Sequence, residues 1–301
     1  VSPAAKPLRN ALTAILLWGT LAAVVGHALD GVRPGALLLW SLFFAALTLS
    51  LFHLLRGGSV RGLWPKDLRM LALGLWGILG YHALFFEALA RAPIVQANLL
   101  NYLWPLLVVV LAGPLGAQRA SAASLGFAGV GFVGAVVVVT QGHAVAFDAR
   151  DVTGYACALL AAVAWSSFSI WLGTSETPAS SSGTPMTGFV NVSFLGAVVL
   201  AAIRHDLVTL SPHATLAAAW LGVGPMAAAF LCWERAMRTG TAAKIGALSY
   251  LDPLLSTVLL ALVLGAKLTS ATWLGMLLII GGAGGPALLT LALPDRLGEP
   301  R

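Results

Sequence analysis

Asn98-Leu99-Leu100-Asn101-Tyr102-Leu103-Trp104-Pro105 lies near the middle of an apolar segment long enough to cross a bilayer, and Leu248-Ser249-Tyr250-Leu251-Asp252-Pro253 nearly repeats it 148 residues later, Tyr102 to Tyr250. On an α-helix, at roughly 100° per residue, Asn98, Asn101, Tyr102, Trp104 and Pro105 share one arc of about 160°. Leu99, Leu100, Leu103, Leu106 and Leu107 fill the opposite arc. In the second copy Ser249, Tyr250, Asp252, Pro253, Ser256 and Thr257 share an arc, and Leu248, Leu251, Leu254 and Leu255 face away. Both segments are therefore expected to present a polar and aromatic face at membrane depth. Pro105 and Pro253 each remove a backbone donor, which frees the carbonyls of Asn101 and Ser249. Irregular backbone at that depth is tolerated where protein or a water-filled cavity satisfies it, so the two segments are expected to border a cavity.

Composition agrees with a lipid solvent. Of 301 residues, 59% are hydrophobic and only 9% charged, against about 25% charged in an ordinary soluble domain, and the mean hydropathy is +0.91. A net charge of +6 could point to nucleic acid, but the basic residues sit in short loops between apolar segments, where they act as topology signals. Nucleic acid is excluded as a partner on that ground. Cys157 and Cys232 lie inside apolar segments without metal-ligand spacing and read as packing residues.

Ten segments have the length needed to span about 30 Å of hydrocarbon: 10–29, 35–55, 68–90, 94–112, 121–140, 152–173, 187–204, 214–236, 242–264 and 271–293. The first reads as a helix rather than a signal peptide, being long and without a clear small-residue cleavage site before Asp30. Pro34, Pro93 and Pro212 mark breaks, and Gly173 to Pro185 has the composition of a flexible linker. Counting Lys and Arg on alternate sides gives twelve against five, which places both termini in the cytoplasm.

The repeat extends beyond the opening motif. Phe86-Glu87 matches Trp233-Glu234, Arg91 matches Arg238, Gly116-Ala117-Gln118 matches Gly265-Ala266-Lys267, and Leu125-Gly126 matches Leu274-Gly275. Five helices per copy is an odd number, so the second copy must enter the membrane from the opposite side. The expected fold is all-α and integral to the membrane, with residues 1–145 and 146–301 as two inverted five-helix repeats. Such inverted repeats carry their sites at the midplane between the halves.

With its two proline-containing helices, each followed by a short loop and a glycine-rich helix, the chain resembles the drug/metabolite transporter superfamily in its ten-helix EamA-type branch. Asn101-Tyr102-Leu103-Trp104-Pro105 further resembles the YddG-type aromatic amino acid exporters, also described as exporters of methyl viologen. The resemblance covers nearly the whole chain. It implies a secondary transporter of the bacterial inner membrane, without cofactor, that exports aromatic and other hydrophobic amino acids by alternating access, or a multidrug or metabolite permease of the same fold. Where many relatives carry a glutamate after the Gly-x pair, this chain has Gln118 and Lys267, so coupling schemes that use those glutamates do not transfer to it.

Other patterns have plainer readings. Gly129-x-Gly131-x-x-Gly134 has dinucleotide-fingerprint spacing but lies inside an apolar segment, where close helix packing explains it. Asn191-Val192-Ser193 matches a glycosylation acceptor but falls within a membrane segment. Neither zinc-protease nor nucleophile-elbow motifs occur, which argues against an enzyme. Glu87 and Glu234 lie one helical turn before Arg91 and Arg238 and read as end-of-helix ion pairs. Asp252 is deep with no cation within a turn, so it is a candidate for proton coupling or amine binding, with a structural hydrogen bond to Ser249 or Ser256 as the alternative.

Tyr81 and His82 in the third segment and Trp165 in the sixth are further candidates for a cavity wall, and Trp18, Trp76 and Trp233 are weaker ones. The substrate expected on the residues has a ring to stack on Tyr102, Trp104, Trp165 or Tyr250. Its ammonium group would use Asn98, Asn101 and the freed carbonyls, Ser249 among them. Its carboxylate has only His82, amides and hydroxyls to turn to. The expected state is a lipid-embedded monomer.

Overall fold

The computed structural model describes residues 5–21, 24, 32–117, 119–174, 185–264 and 268–292. Gln118, Lys267, the far end of the first segment and most of the Gly173 to Pro185 linker lie outside the described residues. All regular structure among the described residues is helical. In chain order the helices are α1 (Ala5–Gly19), α2 (Pro34–Leu55), α3 (Leu68–Arg91), α4 (Ile94–Leu111), α5 (Ala122–Thr140), α6 (Val152–Thr174), α7 (Pro185–Ile203), α8 (Pro212–Thr239), α9 (Ala242–Leu248 and Leu251–Leu264) and α10 (Ser270–Ala292). Among the described residues, seven spans are long and apolar enough to cross a membrane, namely α2 to α8.

The helices begin where the sequence supplies caps. Asp67 accepts the Met70 N–H at 2.8 Å before α3, Ser121 the Ser124 N–H at 3.1 Å before α5, and Ser211 the Ala214 N–H at 3.3 Å before α8. Each such cap is worth about 1 kcal/mol. Pro34 and Pro212 take the first helical turn, where a missing N–H costs nothing. The observed ends of α2 to α8 fall within three residues of those read from hydropathy.

Inside four of the helices the backbone departs from the α-helix, and the departures repeat. Leu75–Gly80 in α3 and Gly224–Ala228 in α8 are π-helical. Tyr102-Leu103 breaks α4, and Ser249-Tyr250 breaks α9. Both pairs of departures are spaced like the sequence repeat. The breaks correct the uninterrupted arcs expected for α4 and α9. After the break, Leu103 and Leu107 pack on the same apolar cluster as Trp104 and Val108, while Leu106 packs with Val109 in a second cluster. Residues from both expected arcs of α4 are thus packed against protein.

Helix α6 serves as a ruler for the arrangement. Gly154 near its start lies so close to the chain at Arg91 and Ala92 that a Cβ there would come within 2.7 Å of the Ala92 Cβ. Near its other end, a Cβ on Gly173 would be 2.9 Å from the Met237 carbonyl oxygen. At 1.5 Å per residue, the intervening helix is about 28 Å long. The matched sequences ending in Arg91 and Arg238 therefore lie at opposite ends of one helix.

The glycine-rich helices α5 and α10 meet directly. A Cβ on Gly134 would be 2.7 Å from the Gly275 carbonyl oxygen, and one on Gly282 would be 2.5 Å from the Gly131 nitrogen. Small residues let these backbones touch, so the fingerprint-like glycines of α5 serve packing. Asn191 is buried, donating to Leu63 O at 2.9 Å and Ser50 Oγ at 3.1 Å, and ties α7 to α2 and the turn that follows it.

Candidate functional site

Four tryptophans from four helices meet in the main apolar cluster. Trp18 of α1, Trp104 of α4, Trp165 of α6 and Trp233 of α8 make all six possible pairs, with ring centroids 5.2 to 6.4 Å apart. Most pairs are edge-to-face, the arrangement that the ring quadrupole favours, at about 0.5–1.5 kcal/mol each beyond area burial. None of the four is more than 8% exposed. Phe230 closes the cage 5.4 Å from Trp165, and Phe168 lies 5.9 Å from the same ring.

Long-range hydrogen bonds fix two of the indoles. Trp18 donates its indole N–H to Pro225 O at 3.1 Å, a carbonyl of the α8 π segment. Trp233 donates to Ser169 Oγ at 3.0 Å. Among the described residues the indole N–H groups of Trp104 and Trp165 have no acceptor, so the cage holds two donors that a ligand can engage.

Beside the cage lies a polar patch. Tyr81 packs 5.3 Å from Trp165 and 4.8 Å from His82, and stacks on Phe85 at 6.1 Å. His82 Nδ1 is 2.7 Å from Ile78 O, inside the α3 π segment, which holds the ring in place. Asn101 donates to Tyr81 OH at 3.4 Å while its own Oδ1 is buried without a partner. Asp252 Oδ1 is likewise buried without a partner. Unfilled buried acceptors of this kind suit a cation or a proton.

The structure brings Tyr81, His82, Trp104, Trp165 and Asn101 together, with Tyr102 at the α4 break and Asp252 just after the α9 break, whereas Asn98 is half-buried and contributes its carbonyl to Tyr102 N–H at 2.8 Å. Ser249 and Tyr250 stand apart from the cage. Tyr250 is fully buried in the second cluster against Gly131 and Phe132. Its hydroxyl is aimed at the Leu106 backbone without a hydrogen bond of ordinary geometry. Ser249 Oγ donates to Ile245 O at 3.0 Å, and its carbonyl accepts the Asp252 N–H at 3.0 Å. The expected free carbonyl is therefore occupied, because the chain tightens into a turn where a straight helix would leave it open. Pro105 is buried beside Trp104 and Pro253 beside Asp252, each just after its helix break.

Trp18 and Trp233, two of the weaker candidates, complete the cage together with Phe230, which the sequence did not single out. Trp233 precedes Glu234 as Phe86 precedes Glu87, so the repeat itself marks an aromatic position. Trp76 is not part of the cage, since it donates to Ser167 Oγ at 3.1 Å and is half-exposed. The two i, i+4 ion pairs form as expected, Arg91 Nε to Glu87 Oε2 at 2.7 Å and Arg238 Nη1 to Glu234 Oε1 at 3.0 Å. Sequence spacing could not show that Arg204 Nη1 also reaches Glu87 Oε1, at 2.5 Å, from the end of α7. Among the described residues no group of three His, Cys, Asp or Glu could hold a metal ion, and both cysteines are free thiols.

Comparison with known proteins decides the class. The EamA-like transporter family matches residues 8–140 and again 152–285, once for each copy of the repeat. The chain belongs to the EamA-like transporter family. As a member of that family it is a multi-pass membrane transporter and not an enzyme. It is 34% identical over 288 residues to the aromatic amino acid exporter YddG of Ancylobacter novellus, covering 92% of this chain and 95% of that protein. It is 28% identical over 297 residues to a probable terminal-alkyne amino-acid exporter of Streptantibioticus cattleyicolor, covering 95% of this chain and 93% of the relative. A protein of known crystal structure superposes with a TM-score of 0.84 at 31% identity, covering 94% of this chain and 98% of its own.

Proposed function

We propose that this EamA-like transporter exports aromatic and other hydrophobic amino acids from the cytoplasm by alternating access between two inverted five-helix repeats. The observation that carries this reading is the cage of Trp18, Trp104, Trp165 and Trp233, which draws its rings from helices on both sides of the repeat boundary. A cage built that way opens or closes when the halves rock against each other. An aromatic solute can then replace indole–indole contacts with solute–indole contacts at little net cost.

The polar groups beside the cage match the rest of such a solute. Its ammonium finds Asn101 Oδ1 and Asp252 Oδ1, both buried and unfilled, and its carboxylate finds the N–H groups of Trp104 and Trp165. The amino-acid exporters among its relatives support this substrate class. The paired helix breaks and the opposite placement of Arg91 and Arg238 along α6 support ten spans in inverted halves, residues 1–145 and 146–301. In this arrangement both termini face the cytoplasm of a bacterial inner membrane, and the protein acts as a monomer without cofactor.

A second substrate class, aromatic cations, is favoured by one observation, the buried Asp252 Oδ1 without a partner, a carboxyl that could hold a cation through its charge. Purified protein in liposomes, offered labelled phenylalanine, tryptophan, leucine and methyl viologen with and without a pH gradient, tests both readings. Saturable flux of the aromatic amino acids is the expected result, and flux of cations alone selects the second class.

A further inference from the structure

Away from the cage, α2, α3 and α7 enclose a cavity of about 160 Å³ at the end of the bundle where Arg91 and Arg204 lie. Its wall is mostly apolar, Leu38, Phe86 and Ala201 among the lining residues, and carries three charged side chains, Glu87, Arg204 and Asp206. Apolar cavities of about 150 Å³ are large enough to take up benzene. Glu87 faces two guanidinium groups, Arg91 and Arg204, and Asp206 Oδ1 lies 3.4 Å from Arg33 Nη1. Three guanidinium groups thus face two carboxylates, which leaves donors for a further carboxylate beside acceptors for an ammonium.

The turn that presents these charges is specifically shaped. His205 adopts the left-handed conformation at φ 57°, a position usually given to glycine. Asp206 N–H then folds back to Ala201 O at 2.8 Å, and Arg33 Nη1 clasps the turn by donating to His205 O at 2.8 Å. Gly35 makes room for the result, because a Cβ at that position would occupy the place of the Asp206 carboxylate. Backbone strain of this kind persists only where the surroundings over-determine it. The matching pair in the second repeat differs: Glu234 and Arg238 are nearly fully buried, whereas Glu87 and Arg91 are 21% and 56% exposed.

We propose that this cavity is an exit-side subsite for zwitterionic α-amino acids. Arg204 takes the carboxylate, Glu87 and Asp206 take the ammonium, and the side chain rests on Phe86 and Leu38. The assignment rests on the export reading above and deepens it, since it supplies a carboxylate anchor on the outward path. It also couples occupancy to local movement, because a carboxylate arriving at Arg204 displaces Glu87 and releases the ion pair between α3 and the end of α7.

The test uses right-side-out membrane vesicles and three externally added solutes that share one ring: phenylalanine, phenethylamine, which lacks the carboxylate, and 3-phenylpropanoate, which lacks the ammonium. Half-saturation is read for phenylalanine and phenethylamine, and competition against phenylalanine for 3-phenylpropanoate. Arg204→Gln should weaken phenylalanine and 3-phenylpropanoate roughly tenfold, as expected for losing a charged hydrogen bond, and leave phenethylamine within about twofold. Glu87→Gln should weaken phenethylamine and strengthen 3-phenylpropanoate, because it frees Arg204. Arg204→Lys, which keeps the charge but loses the planar fork, should give an intermediate loss for the carboxylates only and serves if the glutamine variant fails to fold. Equal losses for all three solutes would show that Glu87 and Arg204 are only a latch and overturn the subsite. A wild-type protein that carries no aromatic amino acid overturns the export reading itself, an outcome separable from the first.

Discussion

Trp233 donates its indole N–H to Ser169 Oγ at 3.0 Å, with both side chains at or below 1% exposure. This bond sets the ring that touches all three other tryptophans of the cage. Ser169→Ala leaves a buried donor unpaired, at a cost of about 1–3 kcal/mol. The variant should melt several degrees lower in detergent and show altered tryptophan fluorescence. A melting temperature equal to wild type would show that the bond does not hold the ring.

Trp104 and Tyr102 precede Pro105 at the α4 break, and Trp104 lies in the cage. Trp104→Ala or Tyr102→Ala should weaken phenylalanine-like solutes about fivefold more than small aliphatic ones, at about 1 kcal/mol per lost stacking contact. Leu100 packs instead with Ala88, Ala97 and Ala158. Leu100→Ala should therefore lower yield before it alters selectivity. A selectivity change in the leucine variant, with none in the aromatic ones, would move the site elsewhere.

Asp252 lies just after the α9 break, and its Oδ1 is buried without a partner. Asp252→Asn keeps the shape and removes the titration. If this carboxyl carries a coupling proton, the variant should still exchange solute between liposomes and medium but lose acceleration by an imposed pH gradient. Unchanged acceleration at normal expression would exclude Asp252 from coupling.

The orientation is checked from the loops. Lys66 and Ala144 are both exposed and lie outside the helices. Single cysteines at these positions, in a background with Cys157 and Cys232 replaced, should label from opposite sides of intact cells. Labelling of both from outside would contradict cytoplasmic termini in a ten-span arrangement.

Much of this architecture is legible in the sequence because membrane helices are long apolar runs bounded by caps and prolines, which Pro34, Asp67 and Ser211 illustrate. The repeat was legible because matched pairs such as Glu87-Arg91 and Glu234-Arg238 keep their spacing. What escaped is what regular periodicity cannot encode. Nothing in the apolar run Leu75–Gly80 marks a π segment, and Pro225 in Gly224–Ala228 signals a departure from the regular helix without its form. A helical wheel assumes constant rotation, so it placed Tyr250 with Trp104, whereas the break at Ser249-Tyr250 turns that ring into the α5–α10 packing. The Glu87–Arg204 contact spans 117 positions, a distance that no local pattern reveals.

The most direct test of the account is counterflow of labelled phenylalanine in liposomes holding the purified protein and preloaded with unlabelled tryptophan. Wild type should accumulate label transiently and saturably, and Trp104→Phe, which keeps a ring in the cage, should retain more of that flux than Trp104→Ala. Absence of saturable counterflow for every aromatic amino acid in well-folded wild-type protein would contradict the account.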